Sequence, residues 1–371
     1  LDADRVRVKN FRFRLVNKTG TSPLKEYGID WKNLDVTAHD LQVQNLSYSD
    51  GRTAGTVKNL SASERSGYEI LAMSGKTTVG KDRTSIRNLH ILDKWSDISM
   101  TEYAMEYAGV SSFSNYIEEV VMTGNIFNSR VDFKSISYFA PALVKMKSVI
   151  NLRKADVNGS VKDMYIRNFD FHETYSGVSG SIDGRLSGLP SASGMLLDFR
   201  LDNLAFTTDE LGTFIRGFAP GASIDLSKFA PGTRFTFNGN ANGTLNRLKV
   251  KGNITSSLGA LTADAYIRDI LTNGKAIGLG GNVSARNLDI GKLAGVKQIG
   301  EVTLRGAMGM TVGQGRTSIH IDTLSVEKLS ALGYDYSNIV AAGTYSDNAF
   351  DGRIVCGDPN LNFLFQGLFT L

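Results

Sequence analysis

The side chains able to do chemistry are few and scattered. The four histidines, His39, His90, His172 and His320, each stand alone in a strand-like pattern. None has a Cys or second His at ligand spacing, so each reads as a structural histidine and no metal site is expected. "SGKTTVGK" from Ser74 contains Gly-Lys-Thr, but a phosphate loop needs Gly five residues earlier, where Ile70 stands. "GLGGNV" from Gly278 misses the dinucleotide spacing and opens a strand instead of a helix. No Gly-x-Ser-x-Gly elbow occurs. Glu118 and Glu119 are adjacent on a predicted helix, where a solvated face accounts for them. Asn158, Asn242 and Asn253 begin Asn-x-Ser/Thr sequons, but Asn is common in the turns of this chain. No catalytic set and no cofactor is expected, and the chain is not read as an enzyme.

Composition points to sheet. Gly is 39 and Pro 6 of 371 residues, against usual shares of about 7% and 5%. Many tight turns without Pro suit strand after strand. The net charge of +4 is small and its basic residues are dispersed, so no nucleic-acid partner is expected. The single cysteine, Cys356, excludes internal disulfides and reads as a small buried apolar residue. No run of eighteen apolar residues is present to span a membrane as a helix. The start, "LDADRVRVKN", and the close, "LNFLFQGLFTL", are both strand-like. The expectation is a segment of a longer protein whose anchor and address lie elsewhere.

One short pattern recurs: apolar-x-Asn-apolar-x-apolar. It reads "VKNFRF" from Val8, "WKNLDV" from Trp31, "VQNLSY" from Val43, "VKNLSA" from Val57 and "IRNLHI" from Ile86. It returns as "IRNFDF" from Ile166, "LDNLAF" from Leu201, "ARNLDI" from Ala285 and "YSNIVA" from Tyr336, and "IDTLSV" from Ile321 has Thr in the Asn place. A one-residue slip in a period-2 pattern would turn every later side chain to the other face. An inserted bulge residue cancels that flip and bends the strand, and Asn tolerates the backbone a bulge needs. The alternative is two strands joined by a tight turn at the Asn.

A second repeat overlies the first: "VDFKSISYFAP" from Val131, "IDLSKFAP" from Ile224 and "LDIGKL" from Leu288. Its Asp residues, 132, 225 and 289, are placed to cap short helical turns, with Pro141 and Pro231 closing the first two. Short helices are expected at "SSFSNYIEEVV" from Ser111 and "TDELGTFIRGF" from Thr208, the latter with Leu211, Phe214, Ile215 and Phe218 at helical spacing. Turns at "SDGR" (49–52), "TNGK" (272–275), "SDNAFDG" (346–352) and "GDPN" (357–360) favour antiparallel hairpins. The fold expected is mostly β: one long, curled, antiparallel-rich sheet forming a taco-like hydrophobic groove over residues 1–371, with a few short helices. Its modules would run roughly 1–92, 93–208, 209–280 and 281–371.

The apolar stripes are the informative feature. Met164, Ile166, Phe169 and Phe171 share one face of a strand, as do Phe199, Leu201, Leu204 and Phe206. Ile319, Ile321, Leu324 and Val326 form a third stripe, and Leu361, Phe363 and Phe365 a fourth; Phe235, Phe237, Leu288 and Ile290 belong to the repeats. Sheets beyond about ten strands tend to curl or split. The greasy face then either packs against another sheet layer as a sandwich or lines an open gutter for acyl chains. Each CH₂ withdrawn from water gains about 0.8 kcal/mol, so wetting a sixteen-carbon chain costs roughly 12 kcal/mol, which a continuous trough would remove.

The ordered succession "SISYFAPAL", "VNGSVKDMYIRNFDF", "SGSIDGRLSGLP", "DLSKFAP…FNGNANGTL", "LDIGKLAGVKQIGEVTLRGAMG" and "NIVAAGTYSDNAFDGRIVCGDPNLNFLFQG" resembles TamB-like members of the AsmA-like superfamily, and looks most like those of Bacteroidota. The resemblance covers most of residues 5–371. It implies a taco-shaped β-structure with a hydrophobic interior, in a periplasmic protein anchored in the inner membrane and reaching toward the outer membrane. It implies phospholipid acyl chains as cargo, support of outer-membrane biogenesis, and an outer-membrane partner barrel of the Omp85 type docked through regions outside this segment. The anchor helix and the partner-binding end of the family are not matched here. A structural or chaperone-like scaffold for outer-membrane protein assembly is the alternative, offering strand edges to clients. A glycan-binding β-protein would want aromatic platforms on its polar face, and Trp31 and Trp95 stand far apart in the sequence. Internal helices and the absence of paired aromatic girdles disfavour a membrane barrel.

Overall fold

The computed structural model describes residues 1–16, 27–189, 191, 194–218, 226, 229–269, 276–313 and 316–370. The chain is mostly β. Among the described residues, twenty strands belong to one antiparallel sheet that is not closed into a barrel, accompanied by a few short helices. The chain divides into two compact units, Leu1–Tyr175 with Ser181–Met195, and Ser176–Gly180 with Leu196–Leu371.

The first unit carries β1 (Asp2–Arg14), β2 (Asp35–Ser49), β3 (Arg52–Glu64), β4 (Glu69–Val79), β5 (Arg83–Asp93), β6 (Asp97–Glu106), β7 (Val121–Asp132), β8 (Val149–Gly159), β9 (Asp163–Glu173) and most of β10 (Ser179–Ser187). From β1 to β9 each strand pairs with its successor. A 3-10 turn (Val110–Asn115) runs into α1 (Tyr116–Glu119) between β6 and β7, and α2 (Phe133–Phe139) follows β7. The second unit carries β11 (Leu196–Phe206), α3 (Thr208–Phe218), β12 (Phe235–Thr244), β13 (Arg247–Ser256), β14 (Gly259–Arg268), β15 (Ile277–Asp289), α4 (Ile290–Ala294), β16 (Ile299–Gly313), β17 (Arg316–Ala331), β18 (Tyr334–Ser346), β19 (Ala349–Asp358) and β20 (Leu361–Thr370). These strands also pair in chain order.

The recurrent Asn lies inside a continuous strand and at Asn45, Asn88, Asn168, Asn203 and Asn287 marks a bulge, while Asn10 and Asn338 keep even register with their paired strands. Asn10, Asn45, Asn88, Asn168, Asn203, Asn287 and Asn338 adopt left-handed backbone, with φ from 46° to 54°. Asn is the residue that enters this region most readily after Gly. In β11, Leu201 pairs with Gly239 and Leu204 with Phe237, three residues set against two. In β15, Ala285 pairs with Leu304 and Leu288 with Val302, again three against two. At three of the bulges the extra residue's N–H is taken by a side chain of the following strand. Asn168 N donates to Asp183 Oδ1 at 2.7 Å, Asn203 N to Asn238 Oδ1 at 2.8 Å and Asn287 N to Thr303 Oγ1 at 3.2 Å. Three copies of the pattern differ. Asn59 and Thr323 sit at three-against-two offsets without left-handed backbone. Asn33 lies ahead of β2, where its Nδ2 donates to Asp30 Oδ2 at 3.0 Å. Asn128, in "IFNSRV", is a bulge residue the pattern misses, because buried Ser129 occupies an apolar place.

The caps and turns follow local chemistry. Asp132 caps α2 by accepting Lys134 N, and Asp289 caps α4 by accepting Lys292 N, each at 2.9 Å. Asp225 and the turn at 272–275 lie outside the described residues. α3 occupies the stretch expected from its spacing. Asp50-Gly51 and Asp347-Asn348 close hairpins with both central residues at positive φ, as a type I′ turn requires. Acids close further strand ends. Asp93 accepts Trp95 N and Ser96 N, and Asp358 accepts Ser337 N and Asn360 N.

Candidate functional site: an apolar face held in register by bulges

Directly paired residues in antiparallel strands point to the same side of the sheet. In the second unit, tracing such pairs from β11 to β20 gives Leu204, Phe237, Ile254, Leu261, Ala285, Leu304, Val326, Ile339, Cys356 and Phe363. The next row is Leu201, Gly239, Gly252, Ala263, Val283, Gly306, Leu324, Ala341, Ile354 and Phe365. A third runs Phe199, Ala241, Val250, Ala265, Gly281, Met308, Ile321, Gly343, Gly352 and Gly367. A fourth, from Leu197 through Leu248, Met310 and Ile319, ends at Tyr345, Phe350 and Phe369. None of these rows contains a charge or an amide. Without the bulges at Asn203 and Asn287, the rows would cross to the other face at β11 and β15. Every member of the second row is half-buried. Row one is more covered, with Phe237, Ala285, Val326 and Cys356 buried.

Glycine lets the sheet lie close under aromatic rings. A Cβ on Gly239 or Gly252, which pair directly, would meet a Phe237 ring carbon at 2.7 or 2.6 Å. The Gly343–Gly352 pair is covered in the same way by Phe350.

The first unit has its own apolar rows, such as Ile86, Tyr103, Gly124, Val157 and Ile166, and Leu89, Met100, Ile126 and Ala155. Here segments between the strands reach over part of the face, and Leu89, Gly124 and Ala155 are buried while Ile86, Tyr103, Val157 and Ile166 are half-buried. Tyr116 of α1 places its Oη 3.4 Å from Tyr103 Oη and 3.0 Å from Met122 Sδ. Trp31 stacks on Tyr116 with ring centres 5.9 Å apart and lies 6.2 Å from Phe139, which meets Tyr68 edge-on at 4.9 Å. Burial raises the pKa values of Tyr103, Tyr116 and Tyr68, and in Tyr68 the neighbouring Asp93 carboxylate adds to the rise.

The expected lining residues fall on these faces. Met164, Ile166 and Phe169 are half-buried in β9 and Phe171 is buried. Phe199, Leu201 and Leu204 are half-buried, and buried Phe206 stacks on buried Phe235 with ring centres 6.0 Å apart. Phe237, Leu288 and Val326 are buried; Ile319, Ile321, Leu324 and Phe365 are half-buried. Leu361 and Phe363 share the face but are exposed, because β20 has no described strand beyond it. Ile290 opens α4 instead of extending β15. The aromatic cover of the first unit is the feature the sequence reading missed: Trp31 and Tyr116 are too far apart in the chain for any local pattern to link them.

The opposite face is polar. Its strands are laced by cross-strand pairs such as Arg7–Asp40, Arg12–Asp35 and Lys249–Asp264. Three of the four histidines lie among such groups, His39 on Ser63 at 2.8 Å, His90 on Asp97 at 2.7 Å and His320 on Thr344 at 3.0 Å. Among the described residues no helix is long and apolar enough to cross a membrane. No family model, curated protein or solved structure matches the chain.

Proposed function

We propose that the apolar face of the second unit seats lipid acyl chains. In this reading the chain is a periplasmic, non-catalytic segment of an inter-membrane bridge that shields acyl chains and supports phospholipid transport and outer-membrane biogenesis. An inner-membrane anchor and an Omp85-type barrel partner would engage through regions outside this segment. The observation carrying the reading is the set of four ion-free rows spanning ten strands, three of them largely half-buried. An acyl chain laid there meets no ionic group that must be desolvated, and each CH₂ removed from water gains about 0.8 kcal/mol.

The test is mass spectrometry of lipids that co-purify with the chain. Wild type is expected to carry phospholipid, and Ile321→Asp with Leu324→Asp to lose it while the far-UV circular dichroism keeps its β signature. Ser at the same two positions is expected to give an intermediate loss. A lipid-free wild type, or crosslinks from Leu324 to unfolded barrel strands instead of lipid, would sink the reading.

A further inference from the structure

The polar face of the first unit carries a cavity of about 490 Å³ lined by residues of β6 through β10. Its floor is where four adjacent strands take their extra residues. Thr101 lies between the Met100–Ile126 and Tyr103–Gly124 pairs, three residues against two. Phe127 and Asn128 occupy the corresponding offset in β7, Arg153 and Lys154 in β8 and Asn168 in β9. A bulge bends its strand. Bends side by side sink the sheet face at this point.

The polar groups in the cavity are held in place by one another. Asp156 accepts Asn125 Nδ2 at 2.8 Å and Asn168 Nδ2 at 2.7 Å, and Arg153 Nε donates to Asp170 Oδ2 at 2.7 Å. Lys154 Nζ lies 3.6 Å from Asp156. The two cations thus face two carboxylates, and the cavity has no surplus charge with which to select a phosphate or a metal ion. Beside this network Phe127 stands 42% exposed. The volume falls within the roughly 300–1,000 Å³ of small-molecule sites, and the lining is about half polar, set by the Asn and ion-pair groups, and half apolar, with Ile126 and Phe127, so a wholly hydrophobic ligand would leave the polar half unmatched.

A ligand that fits must be uncharged, rich in hydroxyl groups, and have one apolar flat side. We propose that this cavity binds an uncharged oligosaccharide, with Phe127 against the C–H face of a sugar ring and Asp156, Asn168 and Arg153 meeting its hydroxyls. Burial works against ionising Asp156, but hydrogen bonds from Asn125 and Asn168 outweigh it and hold the carboxyl below its usual range. At neutral pH it is an acceptor only, suited to a hydroxyl pair. The site lies on the face opposite the apolar rows and does not rest on the lipid reading.

The experiment titrates the purified chain with uncharged tri- to hexasaccharides of glucose, mannose, galactose and N-acetylglucosamine, read by saturation-transfer NMR and calorimetry. At least one is expected to bind. Phe127→Ala is expected to weaken it tenfold or more and Asp156→Asn severalfold, with circular dichroism unchanged, and Leu324→Asp is expected to leave it untouched. If no member of the panel binds, if affinity survives both variants, or if sulfated analogues bind tighter than their neutral parents, the assignment is overturned.

Discussion

The two units use the same strand grammar and treat its apolar face differently. In the first, segments between strands fold back over that face: α1 lays Tyr116 across Tyr103 and Met122, and Trp31 stacks above it. Leu89, Ile150, Leu152 and Phe171 are buried in the same unit. In the second, the ring pairs among the described residues include strand pairs, Phe206 with Phe235, Tyr334 with Tyr336 and Phe350 with Phe365, and Phe214 with Phe218 within α3. Its second row stays half-buried from Leu201 to Phe365. An apolar face that its own chain covers is core. One that its own chain leaves partly wet has capacity to spare for something else. Bulges differ as well. β12, β13 and β14 alternate with unbroken register, whereas β2 through β9 carry offsets repeatedly.

The largest contrast concerns truncation of the face itself. Phe171→Ala in the covered unit is expected to cost about 3–5 kcal/mol, as for buried aromatics. Leu324→Ala in the half-wet row is expected to cost about 1 kcal/mol, half the full-burial range. Equal losses in urea unfolding would erase the distinction between the units. Next, Gly252→Val drives a Cβ into Asn238 O and the Phe237 ring. It is expected to cost about 1–3 kcal/mol by overpacking and to displace the Phe237 resonances in NMR spectra. Asn203→Val is expected to cost about 1–2 kcal/mol through the left-handed backbone, and Asn203→Gly a few tenths; Asn59→Val, at an offset without positive φ, is expected to fall below both in thermal melts.

Smaller effects follow from charge and turns. The Arg7 guanidinium, bonded to Asp40, holds that carboxyl down to about 2. A depressed folded-state value means the pair's contribution is complete above the usual carboxylate range near 4 and fades as pH falls from there toward 2. Arg7→Gln is therefore expected to lower the melting temperature at neutral pH by the small amount an exposed pair supplies and to leave it unchanged near pH 2, so that the acid limb of the profile flattens. Least of all, Leu332 sits at φ 52° in the β17–β18 turn and is 79% exposed. Leu332→Asn is expected to stabilise by up to about 1 kcal/mol, since Asn tolerates that backbone where Leu is strained.

What could be read from the residues was whatever repeats locally. Two apolar pairs out of phase around an Asn admit few solutions, and the bulge satisfies both the slip and the Asn. The Asp132 and Asp289 caps and the Asp50-Gly51 turn were legible for the same reason, since every atom involved lies within a few positions. Asn128 escaped because Ser129 broke the pattern, and Asn33 mimicked it because an Asx-type turn uses the same residue.

The sequence alone determined that strands alternate, where they kink, and which side chains share a face, because φ/ψ preference and period-2 alternation act between near neighbours. Only the tertiary structure decided that ten strands align their apolar residues into continuous rows, that Trp31 and Tyr116 meet over one face, and that four bulges sink a cavity into the other. Those outcomes depend on register between strands and on contacts across 80 or more residues, where no local pattern carries the information. They are set by the summed free energy of the packed chain.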